Sequence, residues 1–400
     1  MNIVVAQSGG PTCAINASLL GVINGALSCE KIDKIYGSIN GIEGILYGNL
    51  IELGEIFSCE ENKQLLRQTP SSALGSCRYK LPDPEKDPDT YVKIVARFEE
   101  YKIGAVFYIG GNDSMDTVNK LSIFLAKTNS PIRVIGVPKT IDNDLPETDH
   151  TPGFGSASKY LNITLSEIIR DTEVYDLKSV MIVEVMGRQA GWLAASSCLL
   201  RACGENYPDF IYLPEVDFSA EKFIKDLKLK LEEKNTIIVV VSEGVTLPQT
   251  EASISKTDAF GHVQLSGIGK TLEELVKNRL GVKVRSVELN VLQRCASHVA
   301  SLTDITESEE VGISAVNAAV SGITGKMMAF RRVSNFPYSV EIVPVDAHLV
   351  ANGERNFPTN WINSEKNNVT EEAIEYFMPL IQGETEKLMN NGLPRYIKLK

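Results

Sequence analysis

Short apolar runs alternate with amphipathic stretches along most of the chain. The apolar runs predict strands at 3–7, 105–109, 134–137, 180–185, 237–241 and 283–289, and the amphipathic pattern predicts helices at 14–27 and 191–200. Continuous apolar runs joined by helices are typical of parallel strands buried on both faces. The pattern therefore predicts an α/β fold with mainly parallel sheets and helices on both faces of each sheet.

The length of the chain predicts two lobes, and the alternation of strands and helices predicts that both are Rossmann-like. A chain of 400 residues exceeds what one small hydrophobic core usually supports. We place the first lobe at 1–145 with part of the C-terminal region, the second at 146–325, and a C-terminal extension at 326–400 that packs back on the lobes. Beyond about residue 325 the pattern weakens into short strands and a final helix near 371–378, which Pro379 should end.

Polar clusters stand at the ends of the predicted strands. They occupy positions 7–12, 110–114, 138–144, 186–188, 242–244 and 293–294. In open α/β sheets, ligands bind in the crevice beyond the carboxyl ends of the strands. We therefore expect the clusters to converge on one active site in the cleft between the lobes.

Two of the clusters are glycine-rich turns between a strand and a helix. Gly9 and Gly10 would let backbone N–H groups approach a phosphate, although a tight turn without a ligand explains the glycines equally well. In the second turn, Asp113 would place a negative charge against the phosphates of a nucleotide. Considered alone, however, Asp113 is better explained as a helix N-cap.

The segment 140–144 carries the most specific chemistry. Asp142 and Asp144 alternate, so an extended backbone would point both carboxylates to one side. Two adjacent carboxylates favour a bound Mg²⁺, with one acid free to accept a hydroxyl proton. Lys139 could bind a phosphate as a point charge. The alternatives are a solvated acidic loop and a surface lysine.

Four further charged residues follow or lie within predicted strands, and they are Arg188, Glu243, Arg285 and Arg294. Arginines bind phosphates in a bidentate manner, and a glutamate accepts hydrogen bonds from sugar hydroxyls. Each residue by itself is more typical of a surface. Together they indicate a sugar-phosphate pocket.

Composition narrows the class of protein. The net charge of −11 argues against general binding to nucleic acid or to anionic membranes, since both require a cationic face. We find no signal-peptide pattern and no apolar run that could span a bilayer. The seven scattered cysteines are typical of reduced thiols, so we expect a cytoplasmic protein.

Taken in order, the clusters resemble those of the phosphofructokinase family over most of residues 1–330. The resemblance implies transfer of a phosphoryl group to the C1 hydroxyl of fructose 6-phosphate in glycolysis or gluconeogenesis, with Asp142 as the catalytic base and Lys139 and Arg188 assisting. It also implies donor contacts, sugar contacts and a Mg²⁺ environment. The implied donor residues are Gly10, Arg78, Asn112, Asp113, Ser114 and Lys139; the implied sugar residues are Thr140, Asp142, Met186, Gly187, Arg188, Glu243, Arg285 and Arg294; the implied metal residues are Asn112 and Asp144.

The same resemblance bears on the donor. Members that use ATP carry glycines where this chain has Asp113 and Lys139, which implies that the donor is pyrophosphate. Because pyrophosphate is a less energetic donor than ATP, the resemblance also implies a reversible reaction. The alternatives are use of ATP, an additional activity on sedoheptulose 7-phosphate, and a non-catalytic sugar-phosphate sensor. The family also implies a homodimer or homotetramer.

Three positions depart from the family pattern. Asn112 replaces an aspartate, Val291 stands where many members have His or Tyr, and Ser179 stands where ATP-using members often have an arginine.

Overall fold

Two β-sheets organise the computed structural model, which describes residues 1–247 and 267–399. The strands are β1 (Asn2–Gln7), β2 (Ile35–Ser38), β3 (Leu50–Glu52), β4 (Ile103–Gly110), β5 (Arg133–Pro138), β6 (Ser179–Val185), β7 (Phe210–Tyr212), β8 (Thr236–Ser242), β9 (Lys283–Glu288), β10 (Lys326–Asn335), β11 (Tyr338–Asp346), β12 (Met389–Asn390) and β13 (Leu393–Pro394). The predicted strands are all present.

Helices connect most of these strands. They are α1 (Ile15–Leu27), α2 (Ile42–Tyr47), α3 (Glu60–Gln68), α4 (Pro88–Glu100), α5 (Asn112–Lys127), α6 (Phe154–Thr172), α7 (Trp192–Ser196), α8 (Ala220–Glu233), α9 (Ile268–Leu280), α10 (Leu292–Cys295), α11 (Leu302–Val320), α12 (Ala347–Val350) and α13 (Glu371–Phe377), with 3₁₀ turns at Ile56–Ser58, Ser197–Cys203, Ser297–Val299, Thr359–Trp361 and Met378–Ile381. The helix predicted at 191–200 is thus a short α-helix that tightens into a 3₁₀ turn. The helix predicted near 371–378 ends before Pro379, as expected.

The larger sheet has seven strands in the order β11-β10-β5-β4-β1-β2-β3. Its central strands are parallel, with Val4 opposite Val106 and Val106 opposite Val134. The interiors of these strands are completely or almost completely buried, because helices cover both faces. This sheet, in which β1, β4 and β5 are adjacent, brings three of the polar strand ends together.

The smaller sheet has four parallel strands in the order β7-β8-β6-β9. Strands β6 and β8 are buried throughout, whereas β9 lies at the edge and has exposed residues. The two mainly parallel sheets confirm the predicted fold class of an α/β protein with two lobes.

Helix α11 packs against α1 beside the larger sheet, although the sequence boundaries assigned residues up to 325 to the second lobe. Its residues Val311 and Val316 share a hydrophobic cluster with Ile15 and Ile3. The two helices approach closely at Gly21, where a Cβ would clash with the Glu309 carbonyl. Glycine is therefore required at this crossing.

The C-terminal region contacts both lobes. The hairpin of β10 and β11, with ten and nine residues, extends the larger sheet, so the expectation of short strands after 325 is wrong for these two. Phe357 and Phe377 then pack into the core of the second lobe. Ile397 returns to the core of the first lobe.

Among residues 1–247 and 267–399, no helix has the length and apolarity that crossing a membrane requires.

Candidate active site

A cleft of about 470 Å³ lies where strands of the two sheets end. It is lined by Ser8, Gly9, Gly10, Cys77, Arg78, Tyr79, Lys80, Asn112, Asp113, Thr117, Asp142, Asp144, Arg188, Gln189, Ala190, Asn352 and Glu354. Seven of the residues predicted for the site lie directly in this lining, and they are Gly10, Arg78, Asn112, Asp113, Asp142, Asp144 and Arg188. The predicted convergence therefore takes place for four of the six clusters, while no residue of 242–244 or 293–294 lines this cleft.

The turn after β1 forms one wall of the cleft. Gly9 has a φ of +77°, and the Ser76 hydroxyl donates to its carbonyl oxygen over 2.7 Å. A Cβ on Gly10 would lie 3.3 Å from Nη1 of Arg294. Because Gly9 and Gly10 have no side chains, the Arg294 guanidinium can approach the turn, as a phosphate site requires.

Lys139 supplies a second cation at the same turn. Its side chain is almost fully buried, and Nζ donates to the Gly10 carbonyl oxygen over 2.6 Å. Burial lowers the pKa of Lys139 to about 8, although the nearby charges of Asp142 and Asp144 oppose the change. The ammonium contacts the glycine turn, although Lys139 is not among the residues that line the cleft.

The acidic turn after β5 is folded differently from the prediction. Asn143 has a φ of +55°, so the segment is a turn and the expectation of an extended backbone is wrong. The Asp142 N–H donates to the Thr140 hydroxyl over 3.1 Å, and the Asn143 amide donates to the Tyr376 hydroxyl over 3.0 Å. Asp142 and Asp144 nevertheless both face the cleft.

The two carboxyls of this turn have perturbed acidities. Burial raises the pKa of Asp142, and the charges of Lys139 and Arg188 offset part of that rise. Burial and the charge of Asp142 raise the pKa of Asp144 to about 7. Oδ1 of Asp144 is buried and has no hydrogen-bond partner, so it is available to a ligand.

Asp113 does not cap its helix. The N-cap of α5 is Gly111, and Asp113 is the second residue of the helix, where its carboxylate pairs with Nζ of Lys80 over 3.0 Å. The amide of the preceding Asn112 donates to the Gly353 carbonyl oxygen over 2.7 Å. Ser114, the third predicted residue here, is buried in α5.

Residues of the second lobe form the opposite wall. Gly187 has a φ of +126°, and its N–H points at Oε1 of Glu243 over 3.4 Å. Burial and the charge of Asp142 raise the pKa of Glu243 to about 7. Arg188 follows Gly187 in the loop that begins at Met186 after β6, and its side chain lines the cleft. The loop therefore sets Arg188 opposite the acidic turn.

Within one chain, Arg285 does not reach the cleft. It lies on the edge strand β9 and lines a separate surface depression with Glu167, Asp171 and Glu273. The sequence placed Arg285 near a strand but could not show that this strand lies at the edge of its sheet.

Sequence reasoning missed several lining residues, notably Lys80, Gln189 and Glu354. Gln189 directly follows Arg188 in the sequence, and this position is the feature from which Gln189 could have been predicted as a lining residue. With its amide oriented to donate, Gln189 contacts the Glu354 carboxylate. Glu354 lies outside any recognisable motif in the C-terminal region, so no local signal pointed to it.

Comparison with known proteins identifies the family of the chain. Residues 2–319 match the family model described as Phosphofructokinase. The pyrophosphate–fructose 6-phosphate 1-phosphotransferase of Xanthomonas campestris is 40% identical over 405 residues, which cover 100% of this chain and 96% of that protein. The protein of the same name from Halomonas elongata is 39% identical over 403 residues, with the same coverage of 100% and 96%.

A solved structure shows the same fold. The crystal structure of the pyrophosphate-dependent phosphofructokinase from Nitrosospira multiformis superposes with a TM-score of 0.87 and 36% identity, covering 100% of this chain and 96% of that one. The family match extends over more than half of the chain, and the relatives match it along its whole length. The chain therefore belongs to the phosphofructokinase family.

Proposed function

We propose that this chain catalyses the reversible phosphorylation of D-fructose 6-phosphate to fructose 1,6-bisphosphate with pyrophosphate as the donor. The observation that carries the proposal is the position of Asp142. Its carboxylate faces a cleft between a glycine turn with two cations and a loop that presents Arg188. The full-length relatives named above support the choice of donor and acceptor.

The reaction follows from these positions. The Asp142 carboxylate accepts the proton of the C1 hydroxyl as the sugar oxygen attacks a phosphorus of pyrophosphate. The new C1–O–P linkage forms while the bridging O–P bond breaks, and orthophosphate leaves. Lys139 and Arg188 stabilise the charge that develops on the transferred phosphoryl group. Thr140 orients the base by accepting the Asp142 N–H.

The remaining predicted residues divide between the two substrates. We assign the donor to residues of the first lobe, which we take as 1–145 with the C-terminal hairpin and α11. These residues are Gly10, Arg78, Asn112, Asp113, Ser114 and Lys139. We assign the sugar mainly to the second lobe, with Met186, Gly187, Arg188, Glu243 and Arg294 as its contacts.

The residues present fit a Mg²⁺ ion. Oδ1 of Asp144 is buried without a partner, and carboxylate oxygen is a ligand that Mg²⁺ prefers. Within 1–247 and 267–399, no three His, Cys, Asp or Glu side chains form a ready-made metal cluster. Asp144, assisted by Asn112, would therefore hold the ion together with oxygens of the donor. When bound, Mg²⁺ neutralises charge on the phosphates.

The donor choice rests on Asp113 and Lys139. Asp113 pairs with Lys80, so its charge alone does not exclude a nucleotide. The paired side chains, both more than half exposed, lie in the donor end of the cleft and take up space that a longer donor would need. Lys139 adds a cation for the short donor.

A coupled assay with each donor tests the proposal. Purified protein should phosphorylate fructose 6-phosphate with pyrophosphate and Mg²⁺, with little turnover on ATP. The double variant Asp113→Gly/Lys139→Gly should lose pyrophosphate activity and gain relative activity with ATP, while Lys86→Gly, a change at an exposed loop lysine, serves as the matched control. Strong turnover on ATP and none on pyrophosphate by the unmodified protein would refute the donor assignment. Sedoheptulose 7-phosphate in the same assay measures the breadth of the acceptor site.

We further propose a cytoplasmic homodimer or homotetramer. Arg285 is exposed on an edge strand away from the cleft, a position from which it could complete the sugar site of a neighbouring subunit. Light scattering coupled to gel filtration measures the assembly. A monomer with full activity would contradict this part of the proposal.

A further inference from the structure

The 142–144 turn, which carries the proposed catalytic base Asp142 and is called the catalytic turn below, lies at the junction of the two lobes. Ile141 packs into the core of the second lobe, whereas Leu145, four residues later, packs into the core of the first. Between them, Asn143 takes the left-handed conformation, with a φ of +55°. A turn that joins two separate cores needs contacts of its own to fix Asp142.

Arg355 supplies several of these contacts. Its backbone N–H donates to the Asp144 carbonyl oxygen over 2.6 Å. Its Nη2 donates to the Asn143 carbonyl oxygen over 2.9 Å, and Nη1 donates to the Thr148 carbonyl oxygen over 2.7 Å and to that of Asp149. The planar guanidinium, with five N–H donors, thus binds both ends of the segment that begins at the catalytic turn.

The same residue is anchored in the second lobe. The Arg355 guanidinium lies 4.4 Å from the centroid of the Trp192 ring, and the Trp192 indole N–H donates to the Arg355 carbonyl oxygen over 2.9 Å. Two residues later, the Phe357 N–H donates to Glu215 over 2.8 Å. Arg355 therefore connects the catalytic turn to the lobe that carries Arg188.

This connection matters for the chemistry. Asp142 belongs to the turn, whereas the proposed sugar contacts Arg188 and Glu243 follow strands of the second lobe. Reacting groups must be held at near-attack distance, and a displacement of about 1 Å can cost about 100-fold in rate. Arg355 lies beyond residues 2–319, the part that matches the family model.

We propose that Arg355 is a positioning residue, which holds the 142–144 turn against the second lobe so that Asp142 meets the sugar hydroxyl. This inference rests on the proposed function. Arg355 touches neither substrate in this assignment, so its removal should lower kcat and leave the affinity for fructose 6-phosphate nearly unchanged.

Three variants test the proposal. Arg355→Gln should lower kcat by about 10- to 100-fold, with the KM for fructose 6-phosphate changed by less than about 3-fold. Arg355→Lys keeps a cation near Trp192 but loses the fork, so its kcat should be intermediate and its thermal midpoint close to that of the unmodified protein. Guanidinium chloride at millimolar concentration should restore part of the kcat of Arg355→Ala.

The matched control is Arg332→Gln. Arg332, like Arg355, is a partly buried arginine; it donates hydrogen bonds to Asp149 and to the Tyr376 carbonyl oxygen but makes none to residues 142–144. Its variant should lower the thermal midpoint and leave kcat within about 3-fold of the unmodified protein.

Two results would overturn the proposal. The first is a kcat for Arg355→Lys equal to that of the unmodified protein. The second is a loss of kcat that follows the thermal midpoint equally in the Arg332 and Arg355 variants, because both arginines would then act only on stability. Absence of pyrophosphate turnover by the unmodified protein would instead refute the proposed function.

Discussion

His150 is a buried histidine whose charge should make the stability of the protein depend on pH. Its Nδ1 lies 2.8 Å from Asp149 and its Nε2 lies 2.7 Å from Glu307, while the ring stacks on Phe330 at 4.6 Å. Burial alone would lower the pKa of His150, but the charges and hydrogen bonds of Glu307 and Asp149 outweigh burial and raise it to about 9. The ring is therefore an imidazolium at neutral pH.

The size of the effect follows from this pKa. A rise from 6.5 to about 9 corresponds to about 3 kcal/mol of stabilisation. Because the pKa of the folded state is the higher one, the stabilisation is complete below pH 6.5 and is lost as the pH rises through about 9. Replacing His150 by Phe keeps an aromatic ring but leaves the buried Glu307 carboxylate without its cation, whereas Asp149 keeps its ion pair with Arg332.

Thermal unfolding of the unmodified protein and of His150→Phe, recorded between pH 6 and 10, measures the effect. The variant should unfold several degrees lower at pH 6.5, and the difference should shrink towards pH 9.5. Other groups that titrate in this range, such as Lys139 and Asp144, are common to both proteins and cancel in the difference. His348→Gln changes an exposed histidine and should leave the midpoint unchanged at each pH.

Either of two outcomes would refute the reasoning. One is a difference in midpoint that stays constant from pH 6.5 to 9.5. The other is a ¹⁵N shift titration of the histidines, of which the chain has four, that places the pKa of His150 below its ordinary value.

Three further predictions concern the cleft. Asp142→Ser should lower kcat by about 10²- to 10⁴-fold with fructose 6-phosphate binding retained by calorimetry, and near-normal turnover would remove Asp142 from the role of base. The kcat/KM for pyrophosphate should fall as the pH rises through about 8, because Lys139 loses its proton there, and this alkaline limb should be absent from the residual activity of Lys139→Met. Gly187→Ala would force a Cβ to within 2.6 Å of the Ala190 carbonyl oxygen at a φ of +126°, so the KM for fructose 6-phosphate should rise by about 10-fold or more, given a strain of about 1–3 kcal/mol; an unchanged KM would show that the loop does not shape the sugar site.

Much of the site could be predicted because its chemistry follows strand ends. The strands ending near Gln7, Gly110 and Pro138 were recognisable from apolar runs, and parallel pairing places their carboxyl ends at one edge of a sheet. The prediction for Asp142 and Asp144 was correct in outcome but wrong in geometry. The alternation of the two residues suggested an extended strand, whereas the Asn143 turn is what directs both carboxylates to the cleft.

Other features could not be predicted because they depend on residues far apart in the chain. Lys80 neutralises Asp113 across 33 positions, a pairing with no local signature. Glu354 lines the cleft and Arg355 contacts the 142–144 turn, and both come from a region with little periodic pattern. Arg285 shares a strand-associated position with the other predicted residues, but its strand lies at a sheet edge.

The amino-acid sequence by itself determined the α/β class, the positions of the buried strands and the polar clusters that follow these strands. These features are local, since they depend on the spacing of apolar residues and on glycines at tight turns. Only the tertiary structure decided which charges meet, which of them are buried and how the C-terminal region contacts the 142–144 turn. The physical reason is that pairing energy and desolvation depend on distance in space, and separation along the chain does not fix that distance.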